Sequence, residues 1–154
     1  MADFVFNIAK GRVVEYTNRV KAGDPAAARL YLIPVDVAAV TDATLKDVDD
    51  FAAAITAGIT ERAATGWNRK TVAAADISTL APNDTSDLFA VDMIDQVWTA
   101  VTAGVVTDLI LCYASVASPT NAQLLVMTQH DFPITPDGTD VTAIIAAAGF
   151  FSAS

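Results

Sequence analysis

The stretch Thr-Asp-Leu-Ile-Leu-Cys-Tyr at residues 107–113 decides the fold of this chain. Its short apolar run has the length and composition of a buried β-strand. Outward from it, similar segments follow at residues 123–128 and 141–146 and precede it at residues 67–75 and 88–99. Short strands of this kind, separated by turns, are typical of an antiparallel sandwich or barrel.

Turn-forming residues separate these strands at Pro82-Asn83-Asp84, at Ser118-Pro119-Thr120-Asn121 and at Pro136-Asp137-Gly138. The last is the strongest turn signal, because glycine readily adopts the positive φ that tight turns demand. A further strand is predicted at residues 29–37. Pro34 within it cannot donate to a β-ladder, which predicts an edge position or a bulge.

Two helices are predicted in the N-terminal third, at residues 8–21 and 44–58. Their apolar stripes consist of Ala9, Val13, Tyr16 and Val20 in the first helix and of Leu45, Val48, Phe51 and Ile55 in the second. The sequence therefore predicts a single α+β domain over residues 1–154. We expect it to be mainly an antiparallel β-sandwich or barrel, with the two N-terminal helices packed against it.

Composition excludes several classes of protein. With 53% hydrophobic and 18% charged residues, the 154-residue chain is expected to fold rather than remain disordered. Its net charge of -9 and scattered basic residues argue against direct contact with nucleic acid. No apolar run approaches the roughly 20 residues of a membrane span, and the N-terminus does not resemble a signal peptide. We therefore expect synthesis in a cytoplasm, with no membrane partner.

Catalytic chemistry has one candidate set: the single histidine His130 with Cys112 and Asp131. A cysteine nucleophile needs its base within hydrogen-bond reach and a third group that orients the base. Asp131 would point to the opposite face of a strand from His130, and a cysteine in an apolar strand usually behaves as a small hydrophobic residue. We therefore predict that the chain has no catalytic residue and is not an enzyme.

Metal binding was considered at two acidic sites. Asp47, Asp49 and Asp50 lack the spacing of a calcium loop, and Asp84 with Asp87 lies in a predicted turn. Solvated surface charge is the ordinary role of such residues. The sequence therefore predicts no metal and no cofactor.

The aromatic residues are candidates for a contact surface. Trp67 and Trp98 fall in strand-like segments, where core packing is the first interpretation and an exposed rim position the alternative. Arg69 could pair with an acidic partner or lie on the surface. The chain ends are also aromatic, and such residues either close the domain's own core or dock on a neighbour. The predicted interface residues are Phe4, Phe6, Trp67, Arg69, Phe150 and Phe151.

A series of segments along the chain carries a resemblance to a known group of proteins. The segments are Phe-Asn-Ile-Ala-Lys-Gly-Arg at 6–12, Thr-Gly-Trp-Asn-Arg-Lys-Thr-Val at 65–72, Asp-Gln-Val-Trp-Thr-Ala at 95–100, Leu-Ile-Leu-Cys-Tyr at 109–113, Val-Met-Thr-Gln-His-Asp-Phe at 126–132, Thr-Pro-Asp-Gly-Thr-Asp-Val at 135–141 and Ala-Ala-Gly-Phe-Phe at 147–151. Over nearly its whole length, the chain resembles small structural proteins from tailed phages of actinobacteria.

The resemblance implies a non-enzymatic virion component, most plausibly a capsid decoration or stabilisation protein (a minor capsid protein) bound to the major capsid shell. It further implies a homo-oligomer, with a trimer at a three-fold position as one option, made in the bacterial host cytoplasm and located on the capsid surface. Two alternatives stay open. One is a tail or fibre-base component, and the other is a module on the virion that binds carbohydrate or a cell surface. A sugar-binding site is expected to have aromatic residues exposed in loops. Both tryptophans lie in strand-like segments instead, which argues against the carbohydrate-binding alternative.

Overall fold

A computed structural model describes residues 2–63, 65–78, 80–146 and 148–153 of the chain. Its strands are β1 (Phe4–Val5), β2 (Arg29–Asp36), β3 (Thr60–Glu61), β4 (Lys70–Val72), β5 (Pro82–Asn83), β6 (Leu88–Val91), β7 (Gln96–Trp98), β8 (Val106–Ala114), β9 (Leu125–Ile134), β10 (Val141–Ala143) and β11 (Phe151–Ala153). Its α-helices are α1 (Val13–Ala22), α2 (Asp42–Lys46) and α3 (Phe51–Ala57). Short 3₁₀ turns lie at Asn7–Ala9, Ala74–Asp76 and Asn121–Gln123.

The strands form one large sheet and two small ones. The large sheet has the order β1-β9-β8-β2-β3, with β4 also paired to β2, and its neighbouring strands are antiparallel. The small sheets are β10-β7 and β11-β6-β5. The prediction of an α+β fold with mainly antiparallel strands is confirmed. The barrel alternative is wrong, because the large sheet has two open edges, at β1 and at β3 with β4.

The predicted strand at residues 107–113 is confirmed, and it lies in the interior of the large sheet. It corresponds to β8, which lies between β2 and β9. Alternate residues of β8 enter different cores: Leu109 and Leu111 pack on one face, and Ile110 and Cys112 on the other. A strand buried on both faces has a nearly continuous apolar sequence, which explains why this stretch is the clearest signal in the chain.

Pro34 does not lie on an edge strand, contrary to one of the two predictions for it. Strand β2 is interior, and β4 pairs with its residues 30–32 while β3 pairs with its residues 35–36. Pro34 therefore falls where one partner strand gives way to the next. Its carbonyl still accepts a hydrogen bond from the Arg62 N–H at 2.9 Å.

The predicted helix at 8–21 is shorter than expected. Helix α1 begins only at Val13, because Gly11 adopts a φ of +75° that a right-handed helix cannot contain. The predicted apolar stripe is nevertheless buried on the large sheet. Gly23, with φ +67° in the left-handed region, ends the helix.

The predicted helix at 44–58 is two short helices, α2 and α3, so the expectation of two N-terminal helices is not confirmed. The break is at Asp50, which has an extended backbone and forms a β-bridge to Leu125. Its Oδ1 accepts the Ala53 N–H at 2.8 Å and so caps α3. The apolar stripe continues across the break, since Leu45 and Phe51 both pack on the same face of the sheet.

Other predicted strands differ in extent. The segment at 88–99 is divided between β6 and β7, which belong to different small sheets. The segment at 123–128 extends to residue 134 in β9, and those at 67–75 and 141–146 are reduced to β4 and β10. Two terminal strands, β1 and β11, were not predicted.

Two hydrophobic cores cover the two faces of the large sheet. One face packs against α1 and residues of the small sheets, among them Trp98 and Ala143. The other face packs against α2 and α3 through Leu45 and Phe51. The large sheet is thus the central layer, and the chain ends lie at its β9 side.

Candidate functional site where the chain ends meet

The two ends of the chain meet beside β9. At the N-terminal end, β1 pairs with β9, so that Phe4 is aligned with Gln129 and Val5 with Thr128. At the C-terminal end, the Phe150 ring stands edge-on to the His130 ring, with 6.5 Å between the ring centroids. Between them lies a cavity of about 230 Å³ that we call the terminal groove, lined by Asp3, Phe4, Val5, Thr128, His130, Phe150, Phe151 and Ser152.

A second cavity of about 250 Å³, here called the inner cavity, adjoins the terminal groove. Asp3, His130 and Phe150 line both cavities. The remaining wall of the inner cavity is largely apolar and includes Met93 and Phe132. Pockets for drug-sized ligands usually have volumes of about 300–1,000 Å³. Each cavity is therefore closer in size to a side chain than to a cofactor.

His130 is the polar centre of the terminal groove. Its Nε2 lies 2.8 Å from Thr128 Oγ1, and its Nδ1 lies 3.5 Å from Asp3 Oδ2. Burial lowers the pKa of His130, and the carboxylate of Asp3 opposes this effect. The imidazole is therefore disfavoured in its charged form. Asp3 is itself held in place, since its Oδ1 accepts the Asp131 N–H at 2.8 Å.

Thr128, His130 and Asp3 stand in the order hydroxyl, imidazole, carboxylate, which nucleophilic hydrolases also use. Two features distinguish this arrangement from a catalytic triad. Thr128 is only 2% exposed, and the distance of 3.5 Å between His130 and Asp3 exceeds the usual reach of a hydrogen bond. The three side chains connect the N-terminal strand to β9.

The cysteine-nucleophile hypothesis brings together residues that the fold keeps apart. Cys112 is fully buried, and burial raises the pKa of its thiol far above the ordinary value. It packs in the core on the α2–α3 face, whereas His130 is aligned with Leu109, whose side chain packs on the opposite face. The thiol therefore has neither exposure nor a base beside it.

Two of the acidic residues that are candidates for calcium binding have structural roles. Asp47 accepts a hydrogen bond from the Asn7 side chain, and Asp50 caps α3. Asp87 adopts a φ of +51° in the turn before β6. Within the described residues, no group of three or more His, Cys, Asp or Glu side chains is placed to hold a metal ion.

Both tryptophans are part of the core. Trp98 is 0% exposed and Trp67 is 3% exposed, and their rings meet edge to face with centroids 5.3 Å apart. Each indole N–H is satisfied, by the carbonyls of Asn68 and Gly104 respectively. The core prediction for Trp98 is confirmed. Trp67 has almost no surface to offer the partner that we predicted for it.

Arg69 is engaged within its own chain. Its guanidinium donates two hydrogen bonds of 2.6 Å to the carboxylate of Glu61 and one of 2.7 Å to Asn121 Oδ1. It also lies 5.2 Å from the centre of the Phe51 ring. The carboxylate partner expected of Arg69 is thus in the same molecule, and the hydrogen bond to Glu61 raises the pKa of Arg69.

The four terminal phenylalanines differ in exposure. Phe6 is 0% exposed and contacts the ring of Phe4 edge to face, with 5.0 Å between centroids. Phe6 therefore closes the core of its own chain and has no free surface for a partner. Phe4, Phe150 and Phe151 are partly exposed and line the terminal groove. Contact of these three residues with a partner stays a prediction.

A second set of exposed apolar residues, which the sequence does not predict, lies in and beside the small sheet β7–β10. Ile144 is 78% exposed, Ile94 53% and Val97 43%. We call these three residues the ribbon face. The sequence gives no clear signal for this surface, because the polar Gln96 is buried and the apolar Val97 is exposed.

Comparisons with known proteins identified no relative. No protein-family model matches the chain, and searches of curated proteins and of solved structures found no similar protein. None of the helices in the described residues is long and apolar enough to cross a membrane. Any functional conclusion therefore depends on the residues and geometry of this chain.

Proposed function

We propose that this chain is a structural subunit of a bacteriophage virion, a capsid decoration protein that binds the major capsid protein through the terminal groove. In this proposal the chain has no catalytic role. It is made in the host cytoplasm and is then incorporated at the capsid surface. Binding only to the assembled shell stabilises that shell by mass action.

The observation that carries the proposal is the convergence of the two aromatic chain ends. Phe4 and Phe150 are far apart in sequence, yet both line one groove with half-buried rings. Strands β1 and β11, which flank the groove, are each terminal in the order of their sheets. Partly exposed aromatic rings beside strand edges are suited to contact with another protein.

The ribbon face also supports a role in assembly. Ile94, Val97 and Ile144 expose branched apolar side chains, and where such side chains form a patch they generally mark an interaction site. A subunit of a repeating shell needs contacts to more than one neighbour. We assign the groove to the shell and the ribbon face to a second copy of this chain, which would give a homo-oligomer such as a trimer.

We further infer that the large sheet and the small sheets pack as a β-sandwich. Leu32 and Leu111 of the large sheet share a core with Trp98 and Ala143 of the small sheet β7–β10. A sandwich of this kind is rigid, because side chains from both layers fill one core. Rigidity suits a subunit that adds contacts to a preformed lattice.

The proposal is tested by purifying particles of the phage that encodes the chain and measuring its copy number by quantitative mass spectrometry. We expect a fixed ratio to the major capsid protein that is unchanged in tailless heads. A ratio that matches the tail instead would favour the tail or fibre-base alternative. Absence of the chain from purified particles would exclude a virion role altogether.

A further inference from the structure

Asp108 is a buried carboxyl group in the middle of the large sheet. It lies on β8, aligned with Val35 of β2 on one side and with Asp131 of β9 on the other. Its exposed fraction is 0%. Asp108 Oδ1 accepts a hydrogen bond of 2.9 Å from Gln129 Nε2, whereas Asp108 Oδ2 has no hydrogen-bond partner among the described residues. An ionised carboxylate in this position would be costly, because its charge is removed from water without full compensation.

The surroundings favour the neutral form of Asp108. Loss of hydration on burial is the largest effect and raises its pKa, and the carboxylate of Asp131 acts in the same direction. Hydrogen bonds from Thr107 and Gln129 act against it. On the β2 side the aligned residue is the apolar Val35. Beyond Val35 the aligned residue of β3 is Glu61, which pairs with Arg69, and the neighbouring Asp36 pairs with Arg62 at 2.6 Å.

We propose that Asp108 keeps a proton in the folded protein at pH values at which exposed aspartates are ionised, and that it donates this proton from Oδ2 to the side-chain carbonyl of Gln129. A carboxylic acid and a primary amide each offer one donor and one acceptor on the same side. Asp108 and Gln129 then form a ring of two hydrogen bonds, with no net charge buried between β8 and β9.

This neutral pair lies on the opposite face of β9 from Thr128 and His130, which line the terminal groove. Gln129 stands between Thr128 and His130, and on its other side it is aligned with Phe4 of β1. When Asp108 loses its proton, a charge appears inside the sheet and the second hydrogen bond is lost. The pairing of β8, β9 and β1 is then weakened. A rise in pH through the folded-state pKa of Asp108 therefore loosens the strand that carries the groove, a regulatory property that does not depend on the proposed virion role.

The test is an NMR titration of the wild-type protein labelled with ¹³C at the aspartate carboxyl groups. Asp137 is an internal control, because it is exposed and hydrogen bonds from Thr139 lower its pKa. We expect the Asp108 carboxyl signal to change at a higher pH than the signals of all exposed aspartates, with Asp137 changing at a lower pH. The proposal is overturned if Asp108 titrates together with Asp137, or if it is ionised across the whole range.

A second measurement uses Asp108→Asn. The asparagine side chain has nearly the same planar shape as a protonated aspartate, but it does not titrate. Because the pKa of Asp108 is raised on folding, its protonated form stabilises the protein at low pH, and this stabilisation is lost as pH rises through the folded pKa. We therefore expect the free energy of unfolding of the wild type to fall relative to that of Asp108→Asn as pH rises through the folded-state pKa of Asp108. Parallel stability curves for the two proteins would contradict the proposal, and the carboxyl titration decides alone if the variant does not fold.

Discussion

Gly149 offers a sharp test of how the C-terminal aromatic residues are held in the terminal groove. It immediately precedes Phe150 and has a φ of +85°. A Cβ atom at this position would lie 2.3 Å from the carbonyl oxygen of Val91 and 2.8 Å from its carbonyl carbon. Both are backbone atoms of β6, so no side-chain rotation relieves the contact. In Gly149→Ala the C-terminal segment must move away from β6.

The expected loss of stability has three sources. A positive φ costs a non-glycine residue about 1–2 kcal/mol. Moving the segment breaks the hydrogen bond of 2.9 Å from the Phe150 N–H to the Val91 carbonyl, a loss of about 1 kcal/mol. Partial exposure of the Phe150 and Phe151 rings adds about 1 kcal/mol. We therefore expect Gly149→Ala to lower the free energy of unfolding by about 3–4 kcal/mol.

Gly138→Ala is the matched control, because Gly138 has a similar φ of +94° but no atom within 4 Å of the Cβ position. It should show only the backbone cost of about 1–2 kcal/mol. Urea unfolding measures both variants, and amide hydrogen exchange reports on β11 directly. The reasoning is refuted if the two variants lose equal stability and the β11 amides of Gly149→Ala keep their wild-type protection.

Three further predictions concern the core, the Arg69 network and His130. Trp98→Ala should cost about 3–5 kcal/mol in urea unfolding, because it empties a buried site, whereas Val105→Ala, at an exposed side chain, should change stability by less than about 0.5 kcal/mol. Arg69→Lys should cost about 1 kcal/mol, since lysine cannot make both bonds to Glu61, and Arg19→Lys at an exposed ion pair should stay within about 0.5 kcal/mol. Because burial lowers the pKa of His130, its neutral form stabilises the fold above pH of about 6.5 and this stabilisation is lost as pH falls through the folded pKa. Thermal unfolding followed by circular dichroism should therefore show a smaller acid-side loss in His130→Gln than in the wild type.

The sequence predicts those elements whose burial can be read from the pattern of apolar residues within the element itself. Strand β8 could be predicted because both of its faces are buried, so that nearly every residue is apolar. Helix α1 could be predicted in part because its buried stripe has helical spacing. The break between α2 and α3 could not be predicted, because it depends on the bridge from Asp50 to Leu125, a residue distant in sequence.

The sequence predicts several residues of the candidate site, but it does not predict how the fold brings them together. The aromatic chain ends are visible in the sequence, but their meeting depends on the pairing of β1 with β9 and of β11 with β6, which are long-range contacts. The partner of Arg69 could not be predicted for the same reason. A guanidinium group is expected to pair with a carboxylate, but only the fold shows that this carboxylate belongs to Glu61. His130 was considered with Cys112, whereas the fold places Thr128 and Asp3 beside it.

The central claim is that this chain is a virion subunit that binds its neighbour through the terminal groove. A cryo-electron microscopy map of the intact phage particle tests it most directly, with the large sheet as the feature to be located. Our account predicts density for the chain on the capsid surface, with a neighbouring subunit covering Phe4, Phe150 and Phe151. A map with this chain in the shell but the groove open to solvent, or with no density for the chain, would contradict it.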